Sequence, residues 1–504
     1  MTDRIDKEAF VAAEACLTQG WYLHRAIRGA PSPGLEWRFF VGAQVATIAR
    51  EQLGAAPMLP RSPVEKAVAT TASTLTRAEV SLAYEATFAS DHLVARADAV
   101  RKNGRTWDLI EVKSGKLPKD MNPERVKSDY IDDIAFTTLV AQNAGLAVER
   151  CILILIRPDY RCGMPMGALL GEIDVTDLAM ARAREFAAMV PQVSKSLCGD
   201  DRPEPALNRA CKACDFYETQ CIGRGIADPV FLLPGLRGKR FEQLRPYGRI
   251  SALPEDADLT EPQRRVATVF RTGKPLVEAG LSHIDGVVWP ACYLDFESVN
   301  PAIPWFANDE PYEQIPFQFS VHVCDSVGHV SAHWEYIAPV DGDWRQALAT
   351  QLLAKLGDRG SILMYSPFEH RMIRYLARTQ LALADQLLAL VPRLFDLEPV
   401  FKNGYCHAGF RGRTSIKETL PTMVKELSYE ELDVRNGSDA AALFALTRVG
   451  RYPTRDWDGH RAHLLKYCEL DTLAMVRLHQ ELARVRAEAP EGSDGSAGGP
   501  SVGQ

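Results

Sequence analysis

The chain has 504 residues, enough for roughly two to four domains that each bury a core of their own. Its 46% hydrophobic and 24% charged residues set aside a disordered or collagen-like chain. The net charge of −7 excludes a strongly basic coat, so any grip on a polyanion must come from local patches or bound metal ions. The opening MTDRIDKEAF lacks the basic-then-apolar pattern of a signal peptide, and no apolar run approaches a membrane span. A cytoplasmic protein without membrane contact is expected. Eleven cysteines, an odd number, then point to metal ligands or free thiols rather than a disulfide framework.

Residues 7–29 predict a helix that carries Cys16 and ends near Gly29 and Pro31, and 36–53 predict a second. A helix over 62–80 and the strand SLAYEATFAS lead into a hairpin read as LVARADAV, RKNG and TWDLIEVKS. Asn103-Gly104 is its expected turn, because both central residues need positive φ. Asp98 sits on the first strand, and Glu111 and Lys113, two apart on the second, share one face. Two carboxylates converging across a hairpin suit a hard divalent cation, and a lysine beside them can steer an attacking water and offset phosphate charge. A surface hairpin with a cross-strand charge pair is the structural alternative. Beyond it come a helix over 123–145 with Tyr130, Asp132 and Asp133, the buried strand ERCILILIRPD, and a long helix over 176–199. Cys211, Cys214 and Cys221 follow. A two-residue gap lets both thiolates turn onto one ion, and three close thiols call for a fourth ligand.

Residues 223–285 read as a helical connector, in which Arg237, Lys239, Arg240, Arg245 and Arg249 are interleaved with Phe241 and Tyr247. That mixture can follow a phosphate backbone and stack bases, and it equally suits a solvated linker face. Residues 248–263 suggest a short helix-turn-helix hairpin. A second domain over 286–488 opens with ACYLDFESVN, where Asp295 and Glu297 face one side of an apolar strand. PYEQIPFQFSVHV and HVSAHWEYIAP complete a meander, and a helix over 343–357 leads to the strand SILMY, followed by Glu369. Asp396 lies on a short strand, and the last helix carries Tyr467 and Asp471 at i and i+4 on one face. The tail 489–504 is low-complexity and expected to be disordered.

Asp98, Glu111-x-Lys113 and the following Ser-Gly resemble the signature of the PD-(D/E)XK nuclease superfamily in its RecB-like branch. The resemblance implies an α/β protein whose residues 1–222 form a restriction-endonuclease-like fold, a mixed sheet flanked by helices. Asp98 and Glu111 would hold metal, with Lys113 catalytic. Relatives carry a histidine after a glycine on an early helix, where this chain has Ala43, Gln44 and Val45, and a glutamine on a later helix, where it has Thr137. The order Cys16, Asp98, Glu111, Lys113, Cys211, Cys214, Cys221 is similar to that of RecB-like nucleases with an iron–sulfur staple. This implies Cys16 as fourth ligand of a [4Fe–4S] cluster, with zinc as the alternative metal and Cys198 as the spare thiol.

Residues 286–488 resemble the RNase H-like fold of DEDD exonucleases, which place Asp-x-Glu on the first strand, an acid after the fourth and Tyr-x3-Asp on a late helix. The resemblance implies Asp295, Glu297, Glu369 and Asp471 as ligands of two divalent ions flanking a phosphodiester, with Tyr467 orienting water. That family has aspartate as its second acid, so Asp396 is the substitute for Glu369. The stretch 293–322, with Pro301, Ile303, Pro304, Tyr312, Pro316, Phe317 and Gln318, is similar to a bacterial domain-of-unknown-function family, number 2779, usually joined behind a RecB-like half. Its loop is either structural or a lip over the site. Lys417, in the similar block SIKETLP, either reaches a phosphate or starts a solvated helix. Together the resemblances imply a Mg²⁺- or Mn²⁺-dependent exonuclease acting on nucleic acid, expected to be DNA, in repair or defence. The alternative is a nucleic-acid-binding scaffold with one or both sites inactive.

Overall fold

The computed structural model describes residues 4–27 and 31–488, so the tail expected from Ala489 lies outside them. The protein is mixed α/β and divides into two compact units: the chain up to Gly225 with Pro301–Glu313, and Ile226–Asn300 with the chain from Gln314. Residues 226–285, read from sequence as a connector, are part of the second unit.

In the first unit, α1 (Lys7–Ala15) starts at Asp6, whose carboxylate accepts from the Ala9 N–H at 2.9 Å. Cys16 is extended (φ −156°) and separates α1 from α2 (Leu17–His24), so the single helix expected over 7–29 is two. The break lets α2 fold back on α1, so closely that a Cβ on Gly20 would meet the Ala13 Cβ at 2.5 Å. Helices α3 (Pro33–Leu53) and α4 (Val64–Leu75) precede an antiparallel meander of β1 (Leu82–Ser90), β2 (Leu93–Asn103) and β3 (Thr106–Lys116). Asn103 pairs with Thr106, so the turn's central residues are Gly104 and Arg105, one later than expected. Of these, Gly104 alone has positive φ (60°). Helix α5 (Ser128–Asn143) then crosses to β4 (Val148–Ile156), parallel to β3, and β5 (Leu170–Asp174) closes the sheet antiparallel, in the order β1-β2-β3-β4-β5. β5, too short to show a period, was not expected. Helix α6 (Thr176–Cys198) and the short α7 (Tyr217–Gln220) complete the unit. One sheet face buries Phe10, Phe136 and Phe186 from α1, α5 and α6, and the other packs on Val41, Val45 and Ala49 of α3. Burial on both faces explains the unbroken apolar run of β4.

The second unit opens with α8 (Gly238–Leu244) and α9 (Glu261–Thr272). The hairpin expected over 248–263 is a single 3₁₀ turn, Ile250–Ala252, before α9. Phe241 is 2% exposed and belongs to the core, which removes it as a stacking platform, whereas Tyr247 is 44% exposed. β6 (Leu276–Val277) pairs with β12 (Tyr405–Cys406) in a separate two-stranded sheet. The main sheet has the antiparallel meander β7 (Ala291–Val299), β8 (Ile315–Ser326) and β9 (His329–Ile337). After α10 (Arg345–Leu356), β10 (Ile362–Met364) lies parallel beside β7 and β11 (Leu394–Asp396) parallel beyond it, giving β11-β10-β7-β8-β9. Helices α11 (Phe368–Thr379), α12 (Ala384–Leu390), α13 (Glu398–Asn403), α14 (Ile416–Met423), α15 (Gly437–Arg448) and the 32-residue α16 (Trp457–Glu488) surround it. Among the described residues no helix is long and apolar enough to cross a membrane.

Candidate functional site

The hairpin of the first unit brings Asp98 on β2 and Glu111 on β3 together. The Val112 N–H donates to Asp98 Oδ2 at 2.7 Å. Desolvation first, and the Glu111 charge second, push the Asp98 carboxyl up to about 7. Burial presses Glu111 the same way, but the Lys7 and Lys113 ammonium groups outweigh it and leave its pKa lowered. Lys113 Nζ lies 3.1 Å from Glu111 Oε1 and also contacts Asp133, and Lys7 Nζ lies 2.5 Å from the same Oε1. Glu111 Oε2 is buried without a hydrogen-bond partner, an acceptor that a cation would satisfy. The Thr137 hydroxyl donates to the Asp133 carbonyl at 3.0 Å. Asp133, one turn earlier on α5, is the residue that meets Lys113. The site opens on a cleft of about 1010 Å³ whose lining mixes Arg4, Lys7, Arg61 and Arg96 with the acids Asp6, Glu8, Glu65, Glu85 and Asp91.

Two features here escaped the sequence reading. Lys7 stands at an ordinary helix start, which carries no signal. Glu85 did carry one, being a charge inside the apolar run LAYEATFA. It lies on β1 between the pairs Tyr84–Ala99 and Ala86–Ala97, level with Asp98, and is buried with φ of 62°. Such a conformation costs about 1–3 kcal/mol and persists where the surroundings impose it; here Arg61 lies 2.6 Å away and Arg96 3.9 Å. Residues Pro301–Glu313 also belong to this unit. The Tyr312 hydroxyl donates to the Ser114 carbonyl, and Glu310 pairs with Arg161 at 2.7 Å, so this stretch packs beside the Lys113 strand.

In the second unit Asp295 and Glu297 project from one face of β7 and Asp471 from α16, with one oxygen of each within 4.8 Å of the others. Glu369, at the start of α11, stands outside this trio but close enough to raise Asp295 and Glu297 by its charge. Its Oε2 is buried without a hydrogen-bond partner. Asp396 instead accepts the Glu398 N–H at 2.9 Å, at the head of α13. Desolvation, with the neighbouring acids adding to it, drives Asp295 well up and Glu297 and Glu369 to about 8. Asp471 rises only to about 6, because desolvation is opposed by Tyr429 and Lys417.

Tyr429 was not expected. Its hydroxyl donates to Asp471 Oδ1 at 2.5 Å from an irregular loop, and its ring lies 6.0 Å from that of the buried Tyr467. Lys417 Nζ lies 5.1 Å from the Tyr467 ring and 5.5 Å from that of Tyr429, and its charge interacts with Asp471, Glu297 and Asp295. Lys417 therefore faces the acids rather than a solvated helix start. The Cys468 thiol donates to Asp295 Oδ2 at 3.4 Å.

Cys16, Cys211, Cys214 and Cys221 line one small cavity with Tyr22 and Phe216. The extended backbone between α1 and α2 places Cys16 there. The Asn208 N–H donates to Cys211 Sγ at 3.5 Å, and burial first, then the other three thiols, raise the Cys211 pKa. Cys198 is exposed and outside this cavity. Four thiols lining one cavity, one of them receiving a backbone N–H, are the donor type that an iron–sulfur cluster or another thiolate-held metal requires.

Three curated proteins resemble part of the chain. It is 24% identical over 206 residues to the uncharacterized protein MG366 of Mycoplasma genitalium and to its homolog in Mycoplasma pneumoniae, covering 37% of this chain and 31% of each relative. It is 23% identical over 219 residues to the uncharacterized protein UU173 of Ureaplasma parvum, covering 39% and 32%. The chain spans about a third of the length of the curated relatives it matches. No solved structure matches it. Residues 292–415, which hold Asp295, Glu297 and Glu369 but not Asp471, match the family described as "Domain of unknown function (DUF2779)".

Proposed function

We propose that the protein is a cytoplasmic, metal-dependent nuclease with a RecB-like PD-(D/E)XK site in residues 1–222 and an RNase H-like DEDD exonuclease site in residues 286–488. One observation carries this reading. Asp295, Glu297, Glu369 and Asp471 are gathered in one largely desolvated place with Lys417 as the cation among them, an arrangement that costs several kcal/mol unless further positive charge compensates it. The sheet orders support the two fold readings, since Asp295 and Glu297 lie on the middle strand of their sheet and Asp98 and Glu111 on two adjacent inner strands of theirs.

In this reading Asp295, Glu297, Asp471 and Glu369 hold Mg²⁺ or Mn²⁺ in the second unit, and Asp98 and Glu111 in the first. Such ions supply charge neutralisation at a phosphodiester and an acidified water. The chain's own groups orient the reactants: Tyr429 fixes the Asp471 carboxylate, Lys417 offers a cation to phosphate, and Lys113 does so in the first unit. Arg4, Lys7, Arg61 and Arg96 offer cations to a phosphate backbone along a cleft otherwise rich in acids, where bound metal ions would supply the remaining positive charge, and DNA is the proposed substrate. The four cysteines form a [4Fe–4S] cluster, or a zinc site, that staples the ends of the first unit.

A second reading has one supporting observation. Lys7 and Lys113 already balance Glu111, so the first unit can bind nucleic acid without cutting it. End-labelled single- and double-stranded DNA and RNA, incubated with Mg²⁺ or Mn²⁺ and with EDTA, separate the two. Metal-dependent shortening supports the nuclease, and binding without cleavage on every substrate supports the scaffold.

Two variants extend the test. Lys113→Met is expected to slow cleavage at the first site about a hundredfold, with an unchanged thermal midpoint because Lys7 still pairs Glu111. Undiminished cleavage in that variant, when Asp295 is also replaced, would remove the first site from the chemistry. Tyr429→Phe is expected to lower kcat/KM at the second site about tenfold to a hundredfold, the worth of a hydrogen bond to a charged group. It should also move the acid limb of the pH–rate profile upward, because the lost hydroxyl is what chiefly holds the Asp471 pKa down.

A further inference from the structure

We infer a further metal site in the second unit, formed by His322 on β8, His333 on β9 and Glu469 on α16, that takes Zn²⁺ or a similar borderline first-row dication. The β8–β9 register sets His322 directly opposite His333, with ring centroids 4.3 Å apart. Helix α16 brings Glu469 Oε1 to 3.9 Å from His333 Nδ1, and one ligand atom of each of the three residues lies within 4.8 Å of the others. Two imidazoles and a carboxylate are a donor set for zinc-like ions rather than for Mg²⁺, which prefers oxygen alone.

The groups behind the rings complete the case. His322 Nδ1 is 2.8 Å from Thr472 Oγ1, His333 Nε2 is 2.9 Å from Ser320 Oγ, and the two hydroxyls are 2.8 Å apart. The Thr472 hydroxyl donates to the Glu469 carbonyl at 3.0 Å. With its one proton so placed, Thr472 accepts from Ser320 and from His322 Nδ1–H, and Ser320 accepts from His333 Nε2–H. Every member of the network is then satisfied, and the lone pairs are left on His322 Nε2 and on His333 Nδ1, the nitrogen nearest Glu469. Partners that fix the tautomer and aim of each ring are what metal-ligating histidines require. His333 and Glu469 are partly exposed, so an ion has a path from solvent. Bound there, it would tie β8 and β9 to the helix that carries Asp471 two residues on. The inference does not rest on the nuclease reading.

The test is Zn²⁺ titration calorimetry on the full chain, with its cysteine centre as isolated and Mg²⁺ in excess. The wild-type chain and Asp295→Asn should each bind one more equivalent of Zn²⁺ than His333→Gln or Glu469→Gln, and Zn²⁺ should raise the thermal midpoint only in the first pair. Should His333→Gln lose its far-UV circular dichroism, the partly exposed Glu469→Gln decides alone. Equal Zn²⁺ uptake in wild type and Glu469→Gln, or uptake lost in Asp295→Asn but kept in Glu469→Gln, overturns the assignment.

Discussion

Asp471→Asn is expected to reduce metal-dependent hydrolysis at the second site by about a thousandfold or more, and at the same time to raise the thermal midpoint of the metal-free protein. The two effects share a cause. Asp471 is buried beside Asp295 and Glu297, where its charge raises both neighbours. Without a cation that charge is a liability of roughly 1–3 kcal/mol, on the scale of an uncompensated buried polar group. A residue kept only for packing would lose stability on substitution, so a gain in the metal-free state marks a ligand. Linkage gives the same result a pH signature. Carboxyls whose pKa is raised by folding contribute stability that is present below their unfolded value of about 4 and lost as pH rises through the folded value. The folded values here are about 6 for Asp471 and about 8 for Glu297 and Glu369. In EDTA the thermal midpoint should therefore fall from about pH 5 to about pH 8.5, and Mg²⁺ should restore it most at the alkaline end. Glu369→Ala should match Asp471→Asn in rate, whereas Asp396→Ala should keep activity and lose only about 1 kcal/mol, because its carboxylate caps α13.

Cys16→Ser is expected to empty the cysteine centre and unfold much of the first unit. Cys16 comes from the chain's start, and Cys211, Cys214 and Cys221 follow α6. The two regions are also joined by hydrogen bonds, from the Tyr22 hydroxyl to the Gln220 carbonyl at 3.0 Å and from Arg25 to the Leu197 carbonyl at 3.0 Å. Each such bond contributes about 1 kcal/mol, against apparent binding free energies of about 10 kcal/mol or more for structural thiolate metals. The bonds cannot replace the centre. Iron and zinc per chain in anaerobically purified protein, with thermal unfolding of the same samples, check this. Cys198→Ser should behave as wild type. Metal content unchanged in Cys16→Ser would remove Cys16 from the ligand set.

Much of this was legible in the residues, because strands repeat every two positions and helices every three or four. Asp295 and Glu297, like Glu111 and Lys113, were readable as sharing a strand face, and Tyr467 and Asp471 as sharing a helix face. The meander β7–β8–β9 and the apolar β4 were equally plain. What escaped depends on contacts distant in sequence. Tyr429 reaches Asp471 across 42 positions and Lys7 reaches Glu111 across 104, and neither has a local pattern. Cys16 breaks a helix because α2 packs back on α1 at Gly20, and helix propensity alone favours continuity through ACLTQ. Phe241 reads as interleaved with basic residues, yet the packing of its unit turns it inward.

The most direct measurement is the count of Mn²⁺ ions bound at about pH 7.5, where the carboxylates of a metal site must be ionised, by loss of the free-ion paramagnetic resonance signal. It needs no knowledge of the substrate. The full chain should hold at least one Mn²⁺ more than the Asp295→Asn, Asp471→Asn double variant, with Mg²⁺ displacing that ion. Equal numbers and affinities in the two proteins would contradict a metal centre at Asp295, Glu297 and Asp471.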